Sequence, residues 1–317
     1  MTASVGQSAA HGILLVDKPA GWTSHDVVAR ARRLTGQRKI GHTGTLDPMA
    51  TGLLVLCLGD ATRLVEYMSR HDKRYEGTIT LGVTTDTDDA DGQALDRRPV
   101  PAVDNSVLER LCEQFSGPIT QRPPAYSALK VDGKRAYSIA RGGGDPQLHA
   151  RQVLVHSISI DRISAVELGI RVHCGPGTYI RSLARDIGDA LGCGAHLSQL
   201  RRTTVGRFEL AGAATLDTLE SAGPAGAQEL LTAPDEGVIE WPAAVLEKQS
   251  AAAFAHGGAV DSAASGGHLR TLTRVFSTAG AFVGVGEFGP TGRLRPIKVM
   301  ANLAESTVMS LLDSQKA

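Results

Sequence analysis

The chain has 317 residues, of which 42% are hydrophobic and 21% charged, and its 33 Lys and Arg balance 33 Asp and Glu. This composition is ordinary for a globular protein, and the length exceeds the roughly 100 to 200 residues of one domain, so we expect a large domain and a smaller one. The first seventeen residues contain no Lys or Arg, and the longest apolar run, residues 53–58, is far below the roughly 20 residues that span a bilayer. We therefore expect a cytoplasmic protein that does not contact a membrane.

The N-terminal region is predicted to begin with a flexible stretch, residues 1–10, followed by a strand at 13–16. Ser24 is predicted to cap a helix, because the apolar residues after it recur at helical spacing. The turn-forming string GHTGTLDP then precedes LLVLCL, whose continuous apolar character indicates a strand that is buried on both faces. A loop beside a rigid buried strand is a favourable place for catalysis.

The middle of the chain alternates between strand and helix patterns. Alternation predicts a strand at 76–82, helical spacing predicts a helix at 107–115, and the basic segment 117–151, rich in Pro and Gly, is predicted to be a long mobile loop. Further elements follow toward the C-terminus. They are strands at 153–163 and 166–174, a helix at 180–191 ended by Gly192, a weak helix and linker at 211–235, a helix at 243–255, and strands at 269–276, 281–288 and 294–300.

Basic residues form three clusters although the net charge is zero. Such clusters can form a surface that binds phosphates while the acidic residues lie elsewhere, or they can be ordinary solvated faces. The clusters are Arg30, Arg32, Arg33, Arg38 and Lys39; Lys134, Arg135, Arg141 and Arg151; and Arg201, Arg202 and Arg207.

The string GHTGTLDPMATG, residues 41–52, contains one acidic residue, Asp47. An Asp before Pro is by itself more often a turn former than a catalytic group. Together with LLVDKPAGWTS, DKRYEG, TDTDDADG, PPAYSALK, GTYIRSLARDIG and LGCGAHLSQLRRT, however, this string makes the sequence closely similar to the bacterial TruB family of tRNA pseudouridine synthases. The resemblance extends from about residue 13 to residue 208.

The resemblance implies a function and a set of site residues. Members of this family isomerise uridine 55 in the T loop of tRNA without a cofactor, a metal or a guide RNA. By resemblance, Asp47 is the essential aspartate, Tyr75 lies against the target base and Arg181 pairs with Asp47. His42 is then next to the flipped nucleotide. The remaining residues near the site are Tyr179, Leu200, Lys18 and Lys130, and the RNA-binding arginines are Arg32, Arg33, Arg201 and Arg202.

These assignments also agree with elementary physical chemistry. An Asp has an ordinary pKa of roughly 3.9, and a neighbouring guanidinium lowers it, so Asp47 is expected to be ionised and to act as a nucleophile or base. A stacked base cannot be reached inside a folded loop, so it must be flipped out at a cost of a few kcal/mol, which the rings of Tyr75 and His42 can offset. Whether the carboxylate attacks C1′, adds to C6 or accepts the proton from C2′ stays open.

The resemblance also implies an α+β fold with a mostly antiparallel central sheet, over residues 11–235. A small, mainly β domain resembling PUA modules is expected over residues 236–310, followed by a tail at 311–317. The four cysteines lack any CxxC pair, so we expect no disulfides.

Other interpretations remain open or are rejected. A related synthase that acts on another RNA, with or without a guide, and a non-catalytic protein that binds or folds RNA remain as alternatives. A zinc site of His173, Cys174, Cys193 and His196 is rejected, because neighbouring residues of a strand point to opposite faces.

Overall fold

The computed structural model describes residues 10–131, 133–262 and 269–300. In chain order its strands are β1 (Gly12–Lys18), β2 (Ile40–His42), β3 (Thr51–Leu58), β4 (Lys73–Leu81), β5 (Val83–Thr85), β6 (Ala94–Arg97), β7 (Gly117–Gln121), β8 (Lys130–Val131), β9 (Lys134–Arg135), β10 (Arg151–Arg162), β11 (Glu167–Cys174), β12 (Ala195–Val205), β13 (Phe208–Glu209), β14 (Ala214–Thr215), β15 (Ala243–Leu246), β16 (Leu272–Ser277), β17 (Phe282–Phe288) and β18 (Leu294–Val299). The helices are α1 (Ser24–Thr35), α2 (Val65–Met68), α3 (Asn105–Gln114), α4 (Ala136–Arg141), α5 (Ile180–Ala190), α6 (Leu216–Glu229) and α7 (Lys248–Ala255), and 3-10 turns lie at Gly59–Leu64, Leu210–Gly212 and Pro234–Val238.

The large sheet has ten strands in the order β14-β1-β3-β12-β4-β11-β10-β7, with β2 paired to β3 and β13 paired to β12. All pairs are antiparallel except β1 with β14 and β3 with β12. The prediction of an α+β fold with a mostly antiparallel central sheet is therefore confirmed. The parallel pair places Arg201 and Arg202 of β12 beside Thr51 and Gly52, where β3 begins.

Strand β3 is buried on both faces, as its uniformly apolar sequence predicts. Successive side chains of a strand point to opposite faces, so Leu54, Leu56 and Leu58 join the core on one face and Leu53, Val55 and Cys57 join the core on the other. The first core also contains the apolar residues of α1, α3 and α5. The second core continues into the C-terminal sheet through Phe282, Val285 and Met300.

The C-terminal part is a four-stranded sheet in the order β15-β16-β17-β18, and α7 packs on it through Phe254. This small, mainly β module agrees with the predicted PUA-like domain. The predicted helix at 243–255 is wrong in its first part, because residues 243–246 alternate between exposed and buried positions as strand β15. The helix α7 begins only at Lys248.

Two further local predictions are corrected by the structure. Thr23, rather than Ser24, caps α1: its hydroxyl accepts a hydrogen bond from the Asp26 amide, and the Asp26 carboxylate accepts one from the Thr23 amide. The segment 117–151 is not one structureless loop, because it contains β7, the β8–β9 hairpin and α4.

The predicted domain limits at 235 and 236 stay predictions. Residues 1–9 and 301–317, which include most of the predicted flexible start and the whole tail, lie outside the described residues. Within the described ranges, no helix combines the length and apolar character needed to cross a bilayer.

Candidate active site

The loop that carries Asp47 lies between β2 and β3 and is held at two points. The hydroxyl of Ser24, in the first turn of α1, accepts a hydrogen bond from the Leu46 amide at 2.8 Å and donates one to the Leu46 carbonyl at 3.1 Å. On the other side of Asp47, the amide of Gly21 donates to the carbonyl of Pro48 at 2.8 Å. The position of Asp47 is therefore set by the segment that joins β1 to α1.

Lys18 at the end of β1 reinforces this arrangement. Its fully buried ammonium donates hydrogen bonds to the carbonyls of Pro19 at 2.9 Å, Trp22 at 2.6 Å and Pro48 at 3.2 Å. Burial lowers the pKa of Lys18 to about 8, and the nearby Asp47 carboxylate opposes that shift. Lys18 thus joins two loop backbones behind the carboxylate rather than projecting into the cleft.

Asp47 and Arg181 form an ion pair that involves both carboxylate oxygens. Nη2 of Arg181 donates to Oδ1 of Asp47 at 3.0 Å, and Nε lies 2.9 Å from Oδ2. The second contact is an ion pair without hydrogen-bond alignment, since no acceptor in the part of the chain that the structure describes is aligned with the Nε–H. Arg181 is almost fully buried, whereas 32% of the Asp47 side chain is exposed, so the carboxylate is the member of the pair that a substrate can reach.

Arg181, in the first turn of α5, is anchored by further contacts. Nη1 donates to the carbonyl of Thr87 at 2.8 Å, and Nη2 donates to the carbonyl of Tyr126 at 2.9 Å. The carboxylate of Asp89 lies 3.3 Å from Nη1. These acceptors fix the orientation of the guanidinium, and the fixed guanidinium in turn positions the carboxylate of Asp47.

The pKa of Asp47 shifts in the direction opposite to the one that the sequence predicts. Removal of the carboxylate from bulk water raises its pKa, and the negative charge of Asp89 raises it further. Arg181 and Lys18 act in the other direction. The prediction of a lowered pKa was wrong because it considered the guanidinium and omitted desolvation, which is the larger effect here.

Tyr75 lies in β4, and His42 ends β2, the strand before the loop that carries Asp47. Tyr75 of β4 is buried, which raises the pKa of its phenol, and the charges of Arg202 and Asp47 both act on it. His42 ends β2, and burial lowers the pKa of its imidazole, so the ring is predominantly neutral at pH 7. Its buried Nδ1 has no partner within the described residues.

Tyr179 and Leu200 belong to the elements that surround Arg181. Tyr179 immediately precedes α5, and its backbone amide and carbonyl both hydrogen-bond to the side-chain amide of Gln121, at 2.8 and 3.0 Å. Leu200 is buried in β12. Lys130, by contrast, is exposed on the β8–β9 hairpin, and no hydrogen bond or ion pair among the described residues joins it to Asp47.

The arginines that the sequence assigns to RNA binding occupy different environments. Arg32 and Arg33 are exposed in the last turn of α1. Arg201 is partly exposed and forms an ion pair with Asp17 at 2.7 Å. Arg202 is 1% exposed, so its assignment to RNA binding was wrong.

Arg202 instead hydrogen-bonds to the backbone on both sides of Asp47. Its Nε donates to the carbonyl of Leu53 at 2.7 Å, and Nη2 donates to the carbonyl of Gly44 at 3.0 Å. The backbone of Arg202 also explains Gly52, which has a φ of +98° and whose added Cβ would lie 2.3 Å from the Arg202 carbonyl oxygen. A buried arginine in the middle of a basic string resembles a surface cluster in the sequence, and no pattern distinguishes the two.

Asp89 is the site residue that the sequence analysis missed. It lies in TDTDDADG, a string that carries part of the resemblance but contains none of the predicted site residues. Asp89 is buried beside Arg181, and its neighbour Asp88 forms an ion pair with Arg185 at 2.7 Å. One signal in the sequence could have indicated this role. The string contains the adjacent acids Asp88 and Asp89, and IRSLARDIG contains two arginines four residues apart, on one face of a helix, that could pair with them.

Comparison with known proteins agrees with this geometry. Residues 32–180 match the family model described as TruB family pseudouridylate synthase (N terminal domain), residues 181–232 match the tRNA pseudouridylate synthase B C-terminal domain, and residues 242–300 match Pseudouridine synthase II TruB, C-terminal. The chain is 44% identical to tRNA pseudouridine synthase B of Azoarcus sp. (strain BH72) over 92% of this chain and 95% of the relative. It is 52% identical to the protein of that name from Thermobifida fusca (strain YX), over 66% of this chain and 74% of the relative.

Solved structures show the same fold. The protein in the structure titled "Crystal structure of the archaeal box H/ACA sRNP Nop10-Cbf5 complex" superposes with a TM-score of 0.68 at 25% identity, over 92% of this chain and 86% of that chain. The structure titled "Crystal Structure of a Cbf5-Nop10-Gar1 Complex" gives a TM-score of 0.67 at 28% identity, over 92% and 83% of the two chains. Fold and site together define a pseudouridine synthase. The chain belongs to the TruB family of pseudouridylate synthases.

Proposed function

We propose that this enzyme converts uridine 55 in the T loop of tRNA to pseudouridine, acting alone, in the cytoplasm, and without a cofactor. The observation that carries the proposal is the Asp47–Arg181 pair, in which a partly exposed carboxylate is held by an almost fully buried guanidinium. Asp47, Tyr75 and Arg181 are the proposed catalytic residues. His42, Tyr179 and Leu200 are proposed to line the nucleotide pocket.

The reaction is an isomerisation, so the atoms of substrate and product are the same, and only protons are exchanged with water. The bond from C1′ to N1 breaks, the uracil turns within the pocket, and a bond from C1′ to C5 forms. C5 then loses its proton and N1 gains one, so no electrons are exchanged with a second reactant. The isomerisation therefore requires no redox cofactor, and the ionised carboxylate of Asp47 is proposed to promote it.

The uridine must first leave the stack of its loop. Extrusion costs a few kcal/mol, which contacts between the flipped base and aromatic side chains offset. Tyr75 is proposed to supply such a contact, and its electrostatic interaction with Asp47 supports this role. The neutral ring of His42, whose Nδ1 has no hydrogen-bond partner among the described residues, is proposed to contact the extruded nucleotide.

The comparisons favour tRNA over a guide-selected RNA as the substrate. The relatives at 41 to 52% identity are named tRNA pseudouridine synthase B, whereas the similar proteins in H/ACA complexes share 25 to 28% of their residues with this chain. A non-catalytic RNA-binding protein is the weaker alternative, because binding a polyanion does not require an accessible carboxylate in the cleft. The exposed Arg32 and Arg33 are proposed to contact tRNA phosphates.

The test is to incubate the purified protein alone with an unmodified T stem-loop transcript and to map pseudouridine at single-nucleotide resolution. We expect modification at position 55 and at no other uridine. A matched transcript with cytidine at position 55 is the control for site selection. Modification of a different uridine would contradict the substrate assignment, and a requirement for an added RNA would contradict the claim that the enzyme acts alone.

A further inference from the structure

Three side chains with metal-binding groups converge at a place remote from Asp47. Nε2 of His156 lies 3.0 Å from Oδ2 of Asp72, and Nε2 of His173 lies 3.9 Å from the same oxygen. The three ligand atoms all lie within 4.8 Å of one another. The two imidazole rings are 4.5 Å apart between centroids. Two ring nitrogens therefore face one carboxylate oxygen.

A β-bulge in β10 produces this arrangement. In the pairing of β10 with β11, Val155 is opposite Cys174 and Ser157 is opposite His173, so His156 is the extra residue with no partner across the ladder. A bulge of this kind redirects a side chain and is common beside functional sites. Without the bulge, His156 would precede Ser157 in a regular strand and would point to the face of the sheet opposite to His173.

The site is on the face of the large sheet opposite to Tyr75. His173 is directly opposite Arg74 in the pairing of β11 with β4, whereas Val172 is opposite Tyr75. Residues that are directly opposite in neighbouring strands share a face, and successive residues alternate. The three groups are thus separated from the Asp47 cleft by the thickness of the sheet.

Charges of both signs surround the cluster. Arg74, directly opposite His173 in the pairing of β11 with β4, repels a cation, and the carboxylate of Asp72 offsets that repulsion. Glu240 adds a second acid to the groove beside the cluster, which has a volume of about 420 Å³ and is also lined by Arg70 and His71.

The spacing of the donors fits a small transition-metal ion. Bonds of about 2.0 Å to a tetrahedral Zn²⁺ place neighbouring ligand atoms about 3.3 Å apart, which lies between the two separations from Asp72 Oδ2. Two imidazoles and one carboxylate favour zinc over magnesium or calcium, which prefer oxygen ligands. Three protein ligands leave the fourth position free for water or a small ligand.

We propose that Asp72, His156 and His173 form a Zn²⁺ site with one open coordination position, separate from the catalytic cleft. This revises the expectation from the sequence that the protein binds no metal. It also differs from the rejected set of His173, Cys174, Cys193 and His196, because Cys174 and Cys193 are buried and only His173 of that set takes part.

The test is isothermal titration of metal-free, full-length protein with a zinc salt. Parallel titrations use His156→Ala, His173→Ala and Asp72→Asn, and the matched control is His256→Ala, which removes an exposed histidine at the end of α7. We expect one Zn²⁺ per chain. Each of the three variants is expected to bind at least about 10-fold more weakly, since even the loss of a group that only orients a ligand has that effect.

Two outcomes would overturn the proposal. One is the absence of stoichiometric binding by the unaltered protein, which would make the cluster an ordinary His–Asp ion pair. The other is zinc binding that the three variants retain at full affinity, which would place the metal elsewhere, for example on a thiol. Thermal unfolding of the metal-free variants shows whether each one is folded. Co²⁺ titration then gives an independent optical readout, because tetrahedral Co²⁺ absorbs visible light strongly.

Discussion

The carboxylate of Asp89 lies 3.3 Å from Nη1 of Arg181, while the Nε and Nη2 edge of the same guanidinium meets Asp47. One buried cation is therefore shared by two carboxylates, of which Asp47 alone is substantially exposed. Asp89 is itself fixed by the hydroxyl of Thr87 and the amide of Asp91. It acts on Asp47 in two ways, by holding Arg181 and by raising the pKa of the Asp47 carboxyl.

Replacing Asp89 with Asn is predicted to lower kcat and to move the acid limb of kcat/KM to lower pH. With ionised Asp47 as the proposed catalytic group, activity is expected to fall as the pH falls through the pKa of that carboxyl. Burial and Asp89 raise this pKa above its ordinary value, and removing the charge of Asp89 lowers it. The measurement is kcat/KM against pH for both proteins, because this profile reports groups of the free enzyme.

The matched control for that experiment is Asp91→Asn, which removes an exposed acid two residues away. This variant is expected to keep the acid limb of the unaltered enzyme. An Asp89→Asn profile that coincides with the unaltered one would show that Asp89 does not set the protonation of Asp47. A reduced kcat with no shift would leave Asp89 a structural role only.

Asp47→Asn is predicted to abolish turnover while leaving the affinity for tRNA nearly unchanged. The amide has the size of the carboxylate but can act neither as a nucleophile nor as a base at this step. Pseudouridine formation under single-turnover conditions and the Kd from filter binding are the two measurements. Substantial turnover by this variant would remove Asp47 from the chemistry.

Lys18→Met is predicted to destabilise the fold and to reduce kcat. Three backbone carbonyls lose their shared donor, and a buried acceptor without a partner costs about 1 to 3 kcal/mol, partly offset here because a buried charge is also removed. The measurement is the free energy of unfolding in urea, with the exposed Lys248→Met as the control. Equal unfolding free energies and equal kcat values would show that Lys18 does not position the Asp47 loop.

The double variant Arg32→Ala, Arg33→Ala is predicted to weaken tRNA binding and to flatten its dependence on salt. Each lost phosphate contact changes the slope of log K against log salt by about 0.7 to 0.9, so two contacts change it by about 1.4 to 1.8.

Arg202→Lys, in contrast, is predicted to lower kcat at an unchanged slope, because Arg202 is buried against the loop backbone. The assignment would be contradicted if Arg202→Lys changed the salt slope and the double variant left it unchanged. Arg202, rather than Arg32 and Arg33, would then contact the phosphates.

Much of the fold follows from local sequence patterns, and the predictions that were wrong have identifiable causes. The uniform apolar character of 53–58 correctly indicates burial on both faces, because both sides of β3 meet a core. Residues 243–255 have apolar positions that fit a helix, but pairing with β16 makes the first four a strand. Ser24 is a plausible cap by type, yet the neighbouring Thr23 takes that role and frees Ser24 to hold Leu46.

The site was predicted where its residues lie in distinctive strings and missed where it depends on long-range contacts. Asp47 and Arg181 are 134 residues apart, and the resemblance alone pairs them. The burial of Arg202 follows from the parallel pairing of β12 with β3, which residue types do not reveal. The shift in the pKa of Asp47 depends on how much water the finished cleft excludes, and that is a property of the tertiary structure.

The hydrophobic cluster behind β1 and β3 has a consequence for how the two sheets behave together. Phe282 and Val285 of the C-terminal sheet share this cluster with Ile13 and Val55, and the ring of Trp241 meets that of Tyr67 edge to face at 5.0 Å. Cutting the chain before Trp241 would uncover apolar side chains on the strands that lead into the Asp47 loop. The C-terminal sheet therefore stabilises β1 and β3, and its removal is expected to lower activity as well as any contribution of this sheet to RNA binding.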